Sequence, residues 1–180
     1  MKTSPNPGSE GGQPHPAEVG PTAVTERIRT LLDGAGVTYR YLEHDPTRTC
    51  EESAAARGET TRVGGKALVL KVGEIFRLCV LRADCQVNSN RVRRHFKESR
   101  ARFASVDELD RLTGLVPGSV PPFGEPVLPL PNCLDRSFLE NDRIAFNAGS
   151  LRCSIVMPLG DYLHLAEPEI FDYAKPSQGA

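Results

Sequence analysis

Apolar residues recur at helical spacing in five parts of the chain, which predicts five helices. Two of them begin at a capping box, a Ser or Thr followed three residues later by Glu: Thr49 with Glu52 and Ser105 with Glu108. Gly residues end most of these segments. The predicted helices cover about residues 23–33, 50–57, 90–96, 106–113 and 159–165.

Alternating and continuous apolar runs predict the strands. Residues 37–42 alternate, whereas residues 66–72 form a nearly continuous apolar strand. Gly73 and Glu74 then predict a two-residue hairpin turn into residues 75–81. Later strands are predicted at residues 127–130, 143–146 and 154–157. Helices interleaved with strands predict an α/β (α+β) domain built on a mixed sheet.

The two ends of the chain lack this periodicity. Residues 1–21 are rich in Pro, Gly, Ser and Glu, so we expect a disordered leader. Residues 175–180 are expected to form a loose C-terminal tail. Residues 22–174 therefore form the one predicted folded domain, a size that buries a substantial core.

Composition narrows the class of protein. The net charge is −1 and 25% of residues are charged, so only a local basic patch would attract nucleic acid. No apolar run reaches the roughly 18 residues of a membrane span, and no secretory signal precedes the domain. The five cysteines are scattered, which indicates free thiols in the cytoplasm. Neither a metal site nor a cofactor is expected, because the His and Cys residues lack ligand-like spacing.

Lys66 follows Gly64 and Gly65 at the start of the apolar strand. A phosphate-binding P-loop is excluded, because Thr60 stands where its first Gly belongs and Ala67 replaces its Ser or Thr. Two interpretations remain open. Lys66 is either a solvated strand end or a cation held at a pocket rim to grip a phosphate or an oxyanion.

The segment 114–124 is dense in Pro and Gly. Prolines fix φ and remove N–H donors, whereas glycines allow positive φ and close approach of a ligand. Such a loop is either a structural connector or a rigid source of backbone N–H donors for an oxyanion.

Two further polar segments are open to two interpretations. His44 between Glu43 and Asp45 is either a base with its orienting acid or part of a solvated turn. The predicted helix 90–96 has basic residues around its apolar face, which either lie in solvent or bind nucleic-acid phosphates. The candidate phosphate-binding residues are Arg91, Arg93, Arg94 and Lys97.

Five segments together resemble the YbaK/prolyl-tRNA-synthetase-associated editing family. They are residues 41–46 (YLEHDP), 65–70 (GKALVL), 115–124, 134–135 (LD) and 147–150 (NAGS). Their order and approximate spacing are similar to those of the family from about Thr22 to Leu165. Ala67 departs from the Thr or Ser that is common there.

The resemblance implies a central mixed, barrel-like sheet flanked by helices. It also implies hydrolysis of the ester of a mischarged tRNA, with alanine or cysteine on tRNA-Pro as a frequent substrate, and no metal. The family's lysine corresponds to Lys66 and its loop glycine to Gly118. The substrate-binding residues expected beside them are Ser119, Val120, Pro121, Pro122, Phe123, Asp135, Gly149, Ser150 and His44.

Two other classes of function stay open. In the first, the chain is a non-catalytic module that binds aminoacyl-tRNA. In the second, it is an interaction protein that docks on an aminoacyl-tRNA synthetase. In the second case the leader would serve as the docking segment, and deletion of residues 1–20 would abolish partner binding without affecting hydrolysis.

Overall fold

The computed structural model describes residues 13–177. All five predicted helices are confirmed to within a residue or two at each end, and Thr49 and Ser105 cap their helices as predicted. No helix within the described range is long and apolar enough to cross a bilayer. The helices are α1 (Pro16–Val19), α2 (Ala23–Gly34), α3 (Cys50–Arg57), α4 (Ser89–Phe96), α5 (Val106–Thr113) and α6 (Leu159–Ala166), with a 3₁₀ helix at Arg136–Glu140.

The strands form three sheets. A five-stranded sheet has the order β5-β2-β3-β6-β9, a three-stranded antiparallel sheet has the order β1-β8-β7, and β10 pairs with β4. The strands are β1 (Arg40–Glu43), β2 (Gly65–Val72), β3 (Ile75–Arg82), β4 (Cys85–Val87), β5 (Ala101–Phe103), β6 (Asn132–Asp135), β7 (Arg143–Asn147), β8 (Cys153–Pro158), β9 (Glu169–Phe171) and β10 (Ala174–Pro176).

The large sheet is mixed, as predicted. Strands β5, β2 and β3 are antiparallel neighbours, whereas β3, β6 and β9 run parallel. A parallel bridge between Gly64 and Ala145 connects the start of β2 to β7. The sheets are not closed into a barrel, so the expected barrel-like sheet is an open arrangement of two larger sheets and a small one.

Strands β2 and β3 separate two hydrophobic cores because their side chains alternate between the faces of the sheet. Val69 and Val80 belong to the main core with α2, α5, α6, β7 and β8. Leu70 and Cys79 point to the other face, where Val92 of α4 and Tyr173 cover them. Burial on both faces explains why β2 is almost continuously apolar.

The expected leader needs correction in its second part. Residues 1–12 lie outside the described range, but residues 16–19 form α1 and Ala17 is fully buried. The Ala17 carbonyl accepts hydrogen bonds from Leu151 N–H (2.8 Å) and Ser150 Oγ (3.1 Å). Pro16 at the first helical position and Glu18 in a capping box stabilise this short helix.

Two strand predictions and the expected C-terminal tail also differ from the structure. Residues 127–130 form turns, because Val127 and Leu128 both donate to the Gly124 carbonyl and prolines 126, 129 and 131 lack N–H donors. The strand predicted at 37–42 begins only at Arg40. The expected loose tail pairs with β4 through Lys175 and Pro176, whereas residues 178–180 lie outside the described range.

Candidate functional site

The start of β2, helix α3 and the Pro/Gly loop enclose a cavity of about 170 Å³. The sheet fixes one wall, because β2 is hydrogen-bonded to β3 along its full length. The capped start and inner face of α3 form the second wall. The lining comprises residues 47–50, Ser53, Arg57, residues 64–68, Ala83, Gly118, Val120 and Asn147.

Lys66 and Gly118 line this same cavity. The Lys66 ammonium donates one hydrogen bond to the Cys85 carbonyl, which anchors the half-buried side chain. An ammonium has three N–H donors, so two remain for an anionic or carbonyl oxygen. The lysine therefore brings a positive charge to the cavity.

Gly118 forms the third position of a tight turn. Ser119 N–H donates to the Val116 carbonyl (3.1 Å), Pro117 supplies the second position, and Gly118 has φ +88°. Pro followed by Gly of positive φ is the arrangement of a type II turn. Within residues 13–177 the N–H of this cavity-lining glycine has no protein acceptor, so the donor is unpaired.

Arg57 is the last residue of α3 and is only 6% exposed. Its guanidinium donates to Ser154 Oγ (2.9 Å), the Ala145 carbonyl (3.3 Å) and Asn147 Oδ1 (2.6 Å). Burial lowers the pKa of Arg57 to about 10, so the side chain stays charged near neutrality. The cavity wall therefore contains a second cation, surrounded by neutral acceptors.

Asn147 connects Arg57 to the turn. Its Nδ2 donates to the Gly118 carbonyl at 2.9 Å, while its Oδ1 also accepts from Ser154 Oγ (3.1 Å). Ser154 Oγ in turn lies 2.8 Å from Nε2 of His44. His44 thus contacts the outer end of this network and does not line the cavity.

Cys50 is the cysteine in the cavity lining. Burial raises the pKa of its thiol, and the attraction of the Lys66 ammonium only partly offsets this effect. The thiol is therefore protonated at neutral pH, which makes it a weak nucleophile.

Three of the expected substrate-binding residues make structural contacts outside the cavity. Ser119 is fully buried and closes its own turn, because its Oγ donates to the Val116 carbonyl. Gly149 donates to the Ser119 carbonyl, and a Cβ at this position would lie 2.9 Å from Val24. Ser150 Oγ donates to Ala17 in α1. The structure therefore gives these residues structural contacts outside the cavity lining.

The loop end and Asp135 also lie outside the cavity. Phe123 packs edge-to-face against Phe146 and Tyr162 in the main core, and Pro121 and Pro122 are buried beside it. The Asp135 carboxylate accepts four hydrogen bonds from protein donors, which fixes the chain before β10. Its donors are Ser137 N, Ser137 Oγ, Tyr173 N and Ala174 N. Val120 is the expected substrate-binding residue that does reach the cavity.

The basic helix α4 lies at the opposite end of β2 from Lys66. A surface groove of about 570 Å³ runs there between Lys71, Arg93, Arg100 and Arg102. Arg91 and Arg93 donate to backbone carbonyls of Ala174 and Ser99. The side chains of Arg94 and Lys97 are exposed and have no hydrogen-bond or salt-bridge partner among residues 13–177. At about 3.3 Å per residue, the groove lies roughly 20 Å from Lys66.

Sequence reasoning missed the polar wall formed by α3. Cys50, Ser53 and Arg57 recur every three or four residues, so they share one helix face. This stripe was the available signal, but a polar helix face ordinarily points to solvent. Only the hydrogen bonds of Arg57 to Ala145 and Asn147 in β7 and to Ser154 in β8 show that this face is turned inward.

Comparison with known proteins identifies the family of the chain. Residues 44–165 match the aminoacyl-tRNA editing domain family. The chain is 36% identical over 156 residues to the Multifunctional Ser/Thr-tRNA deacylase ProXp-y of Escherichia coli strain K12, covering 83% of this chain and 92% of that protein.

Two solved structures show the same fold, each with a TM-score of 0.75. One is a candidate trans-editing enzyme for prolyl-tRNA synthetase, 24% identical and covering 87% of this chain and 99% of that one. The other is the hypothetical protein APE2540, 23% identical, covering 83% and 99%. The chain therefore belongs to the aminoacyl-tRNA editing domain family and is a hydrolase that acts on the aminoacyl-tRNA ester.

Proposed function

We propose that this chain deacylates tRNA carrying a small amino acid, with the ester held between Lys66 and Gly118. The observation that carries the proposal is that both residues line one cavity. The ammonium of Lys66 and the free N–H of Gly118 are donors suited to an oxygen that gains negative charge during hydrolysis.

The chemistry is addition of water to the ester carbonyl. The tetrahedral intermediate then releases the ribose oxygen, which takes up a proton, and leaves a free amino acid and an intact tRNA. The Gly118 N–H stabilises the oxyanion, and Lys66 binds the terminal phosphate or the carbonyl oxygen. A water molecule attacks, assisted by the neighbouring ribose hydroxyl. Orientation of these groups in a preformed cavity supplies much of the rate.

The cavity favours a small side chain that carries a hydroxyl group. Its volume of about 170 Å³ corresponds to roughly six water molecules in the liquid. Thr47, Ser53 and Cys50 give the wall polar groups. A site that hydrogen-bonds a substrate hydroxyl rejects analogues lacking it far better than an apolar site does. We therefore propose serine and threonine first, with alanine or cysteine on tRNA-Pro as the second candidate.

The tRNA body would bind along α4. Exposed Arg94 and Lys97 have no protein partner among the described residues and lie beside the groove that Arg93 and Arg100 line. Free cations of this kind bind backbone phosphates without reading sequence. Association with an aminoacyl-tRNA synthetase stays a prediction.

A deacylation panel tests the substrate assignment. Seryl-, threonyl-, alanyl- and cysteinyl-tRNA are prepared on matched and mismatched tRNA bodies, and release of labelled amino acid is followed at catalytic protein concentration. Faster turnover of seryl- and threonyl-tRNA supports the first candidate, whereas preference for alanyl- or cysteinyl-tRNA-Pro supports the second. Stoichiometric binding without turnover of any substrate would contradict both.

Replacement of the cavity lysine tests the mechanism. Lys66→Ala should lower kcat/KM by at least about 100-fold while the protein stays folded, because a cation at the reacting centre is lost. Lys175→Ala, which removes an exposed lysine outside the cavity, is the control. Full activity of Lys66→Ala would remove this residue from the mechanism.

A further inference from the structure

Arg57 is a buried cation whose hydrogen-bond partners are all neutral. Its acceptors are a serine hydroxyl, a backbone carbonyl and an asparagine amide. No carboxylate forms a salt bridge with it among residues 13–177. A buried charge without a counter-ion is unfavourable, and a hydrophobic residue of similar size is often at least as stable. Fold stability alone therefore does not explain an arginine at this position.

The guanidinium determines which way the Asn147 amide points. Arginine has donors and no acceptor, so the atom of Asn147 that faces it at 2.6 Å is the oxygen Oδ1. The nitrogen Nδ2 must then face the Gly118 carbonyl, to which it donates at 2.9 Å. If the amide rotated by 180°, two oxygens would face each other at Gly118 and two donors at Arg57.

The bond to the Gly118 carbonyl holds the peptide unit that follows Gly118, and the Gly118 N–H belongs to the peptide unit before it. Both groups belong to the turn closed by Ser119 N–H and the Val116 carbonyl. In this turn Pro117 has a fixed φ, whereas Gly118, as a glycine, can adopt a wider range of φ and ψ than any other residue type. Gly118 is therefore the flexible point of the turn, and the amide of Asn147 restrains it.

We propose that Arg57 is a positioning residue for deacylation, which acts by orienting Asn147 so that Gly118 presents its N–H to the reacting ester. The inference rests on the proposed function of the cavity. Arg57 acts on the glycine turn through Asn147, because a guanidinium has donors and no acceptor and so faces only the oxygen of the amide.

Asn147→Asp separates positioning from stability. The new carboxylate pairs with Arg57, so the buried cation gains a counter-ion and the melting temperature should be unchanged or higher. The donor to Gly118 is lost, and a carboxylate oxygen faces its carbonyl. We expect kcat to fall by about 100-fold or more, as for loss of an oxyanion donor, with KM for tRNA within about threefold.

Asn141→Asp is the matched control. Asn141 Nδ2 also donates to a backbone carbonyl, that of Arg62 at 2.9 Å, but it lies outside the cavity. In Asn141→Asp the same change of side chain and charge should leave kcat within about twofold of the wild-type value. A wild-type kcat in Asn147→Asp, or a lower melting temperature with unchanged kcat per folded molecule, would overturn the proposal.

Arg57→Met gives a second, independent test. Methionine fills much of the space without a charge, so the protein should stay folded while Asn147 loses its fixed orientation. We expect kcat to fall at least about tenfold, and a double-mutant cycle with Asn147→Asp to be strongly non-additive. Unfolding of both variants would show that the network has a structural role only and would overturn the proposal.

Inactive wild-type protein would overturn the proposed function itself, whereas active wild-type protein with fully active variants would overturn only this inference.

Discussion

Gly118 has a backbone conformation that other residues adopt only with strain. At φ +88° an L-residue places its Cβ close to the following backbone, which costs roughly 1–2 kcal/mol. A Cβ there would also lie 3.3 Å from Leu151, which must shift slightly. The free N–H in the cavity wall therefore depends on the absence of a side chain at this position.

Gly118→Ala should lower both stability and activity. We expect a loss of about 1–2 kcal/mol in the free energy of unfolding and at least a tenfold fall in kcat, because the turn changes shape. Gly36→Ala is the control, since Gly36 has φ +67°, a Cβ there would meet no atom within 4 Å, and the residue lies far from the cavity lining in sequence. Denaturant titration and deacylation assays measure both effects. Equal kcat in the two variants would contradict a role for Gly118 in the reaction.

Single residues were predictable from the sequence only in part. Lys66 and Gly118 follow recognisable Gly and Pro signals, and the structure brings them to one cavity. Arg57 has no such signal, because its partners Asn147 and Ser154 lie about 90 residues away in sequence. Residues such as Asp135 and Ser150 occur in recognisable motifs, yet their polar groups are satisfied by backbone atoms.

At the scale of elements, the basic residues in α4 and just after it differ in whether their side chains have a protein partner. Arg91 and Arg93 hold neighbouring carbonyls, and Arg102 forms a bidentate pair with Glu108. The exposed residues Arg94 and Lys97 have no such partner within the described part of the chain. The exposed Arg100 after α4 also has no side-chain partner among residues 13–177, so these three cations are the ones that the proposed contact with tRNA phosphates would use.

Charge reversal on α4 should weaken tRNA binding in a salt-dependent way. Arg94→Glu with Lys97→Glu should raise Kd and reduce the slope of log K against log salt by roughly 0.9 for each lost phosphate contact. Arg27→Glu with Arg111→Glu makes the same change of net charge and is the control, since both residues are exposed and lie on α2 and α5. Affinity and slope equal to those of the control would make the face of α4 a solvated surface.

The first turn of α5 contains a carboxylate that is strongly stabilised in its charged form. Hydrogen bonds from the Arg102 guanidinium and from Ser105 N–H lower the pKa of Glu108 from its ordinary 4.5 to about 2. A lowered carboxyl pKa means that its stabilising effect is complete above pH 4.5 and is lost as pH falls toward 2.

Glu108→Gln should therefore destabilise the protein most at neutral pH. The difference in unfolding midpoint between the variant and wild type should be full at pH 7 and shrink steadily below pH 4.5. Asp107→Asn removes a charge from the same helical turn and controls for the helix dipole. Urea titrations at several pH values measure the difference, and a pH-independent gap would contradict this account.

Elements were predictable where their signals are local. Capping boxes and apolar spacing located α3 and α5, and the Gly73–Glu74 turn fixed the register of β2 with β3. The three-residue strands β4, β5, β9 and β10 were missed because their pairing partners are distant in sequence. Such short strands exist through tertiary pairing more than through their own propensity.

At the scale of the whole molecule, α1 joins the N-terminal segment to the back of the cavity. Besides the bonds to Ala17, the Glu18 carbonyl accepts from Arg152 and its carboxylate pairs with Arg48 on the cavity lining. Leu151, which α1 holds through its N–H, is the residue that lies closest to Gly118 on the Cβ side. The N-terminal segment thus contributes to the loop as well as to the fold.

Truncation should reveal this contribution. A chain that starts at Thr22 leaves Leu151 N–H and Ser150 Oγ without their acceptor, and each buried unpaired group costs about 1–3 kcal/mol. We expect lower stability and lower deacylation than for a chain that starts at Gln13, which keeps α1. Identical stability and activity of the two chains would show that α1 is dispensable, as the sequence alone suggested for residues 1–20.

Strand β2 separates the cavity lysine from the basic groove by a fixed distance. Because β2 is paired with β3 along its whole length, the distance between its two ends is fixed at roughly 20 Å. In the proposed binding mode, a fragment such as aminoacyl-adenosine would reach only the Lys66 end, whereas a tRNA acceptor stem would reach both ends. The length of the β2–β3 hairpin would then set how strongly the enzyme prefers a whole tRNA to its terminal nucleoside.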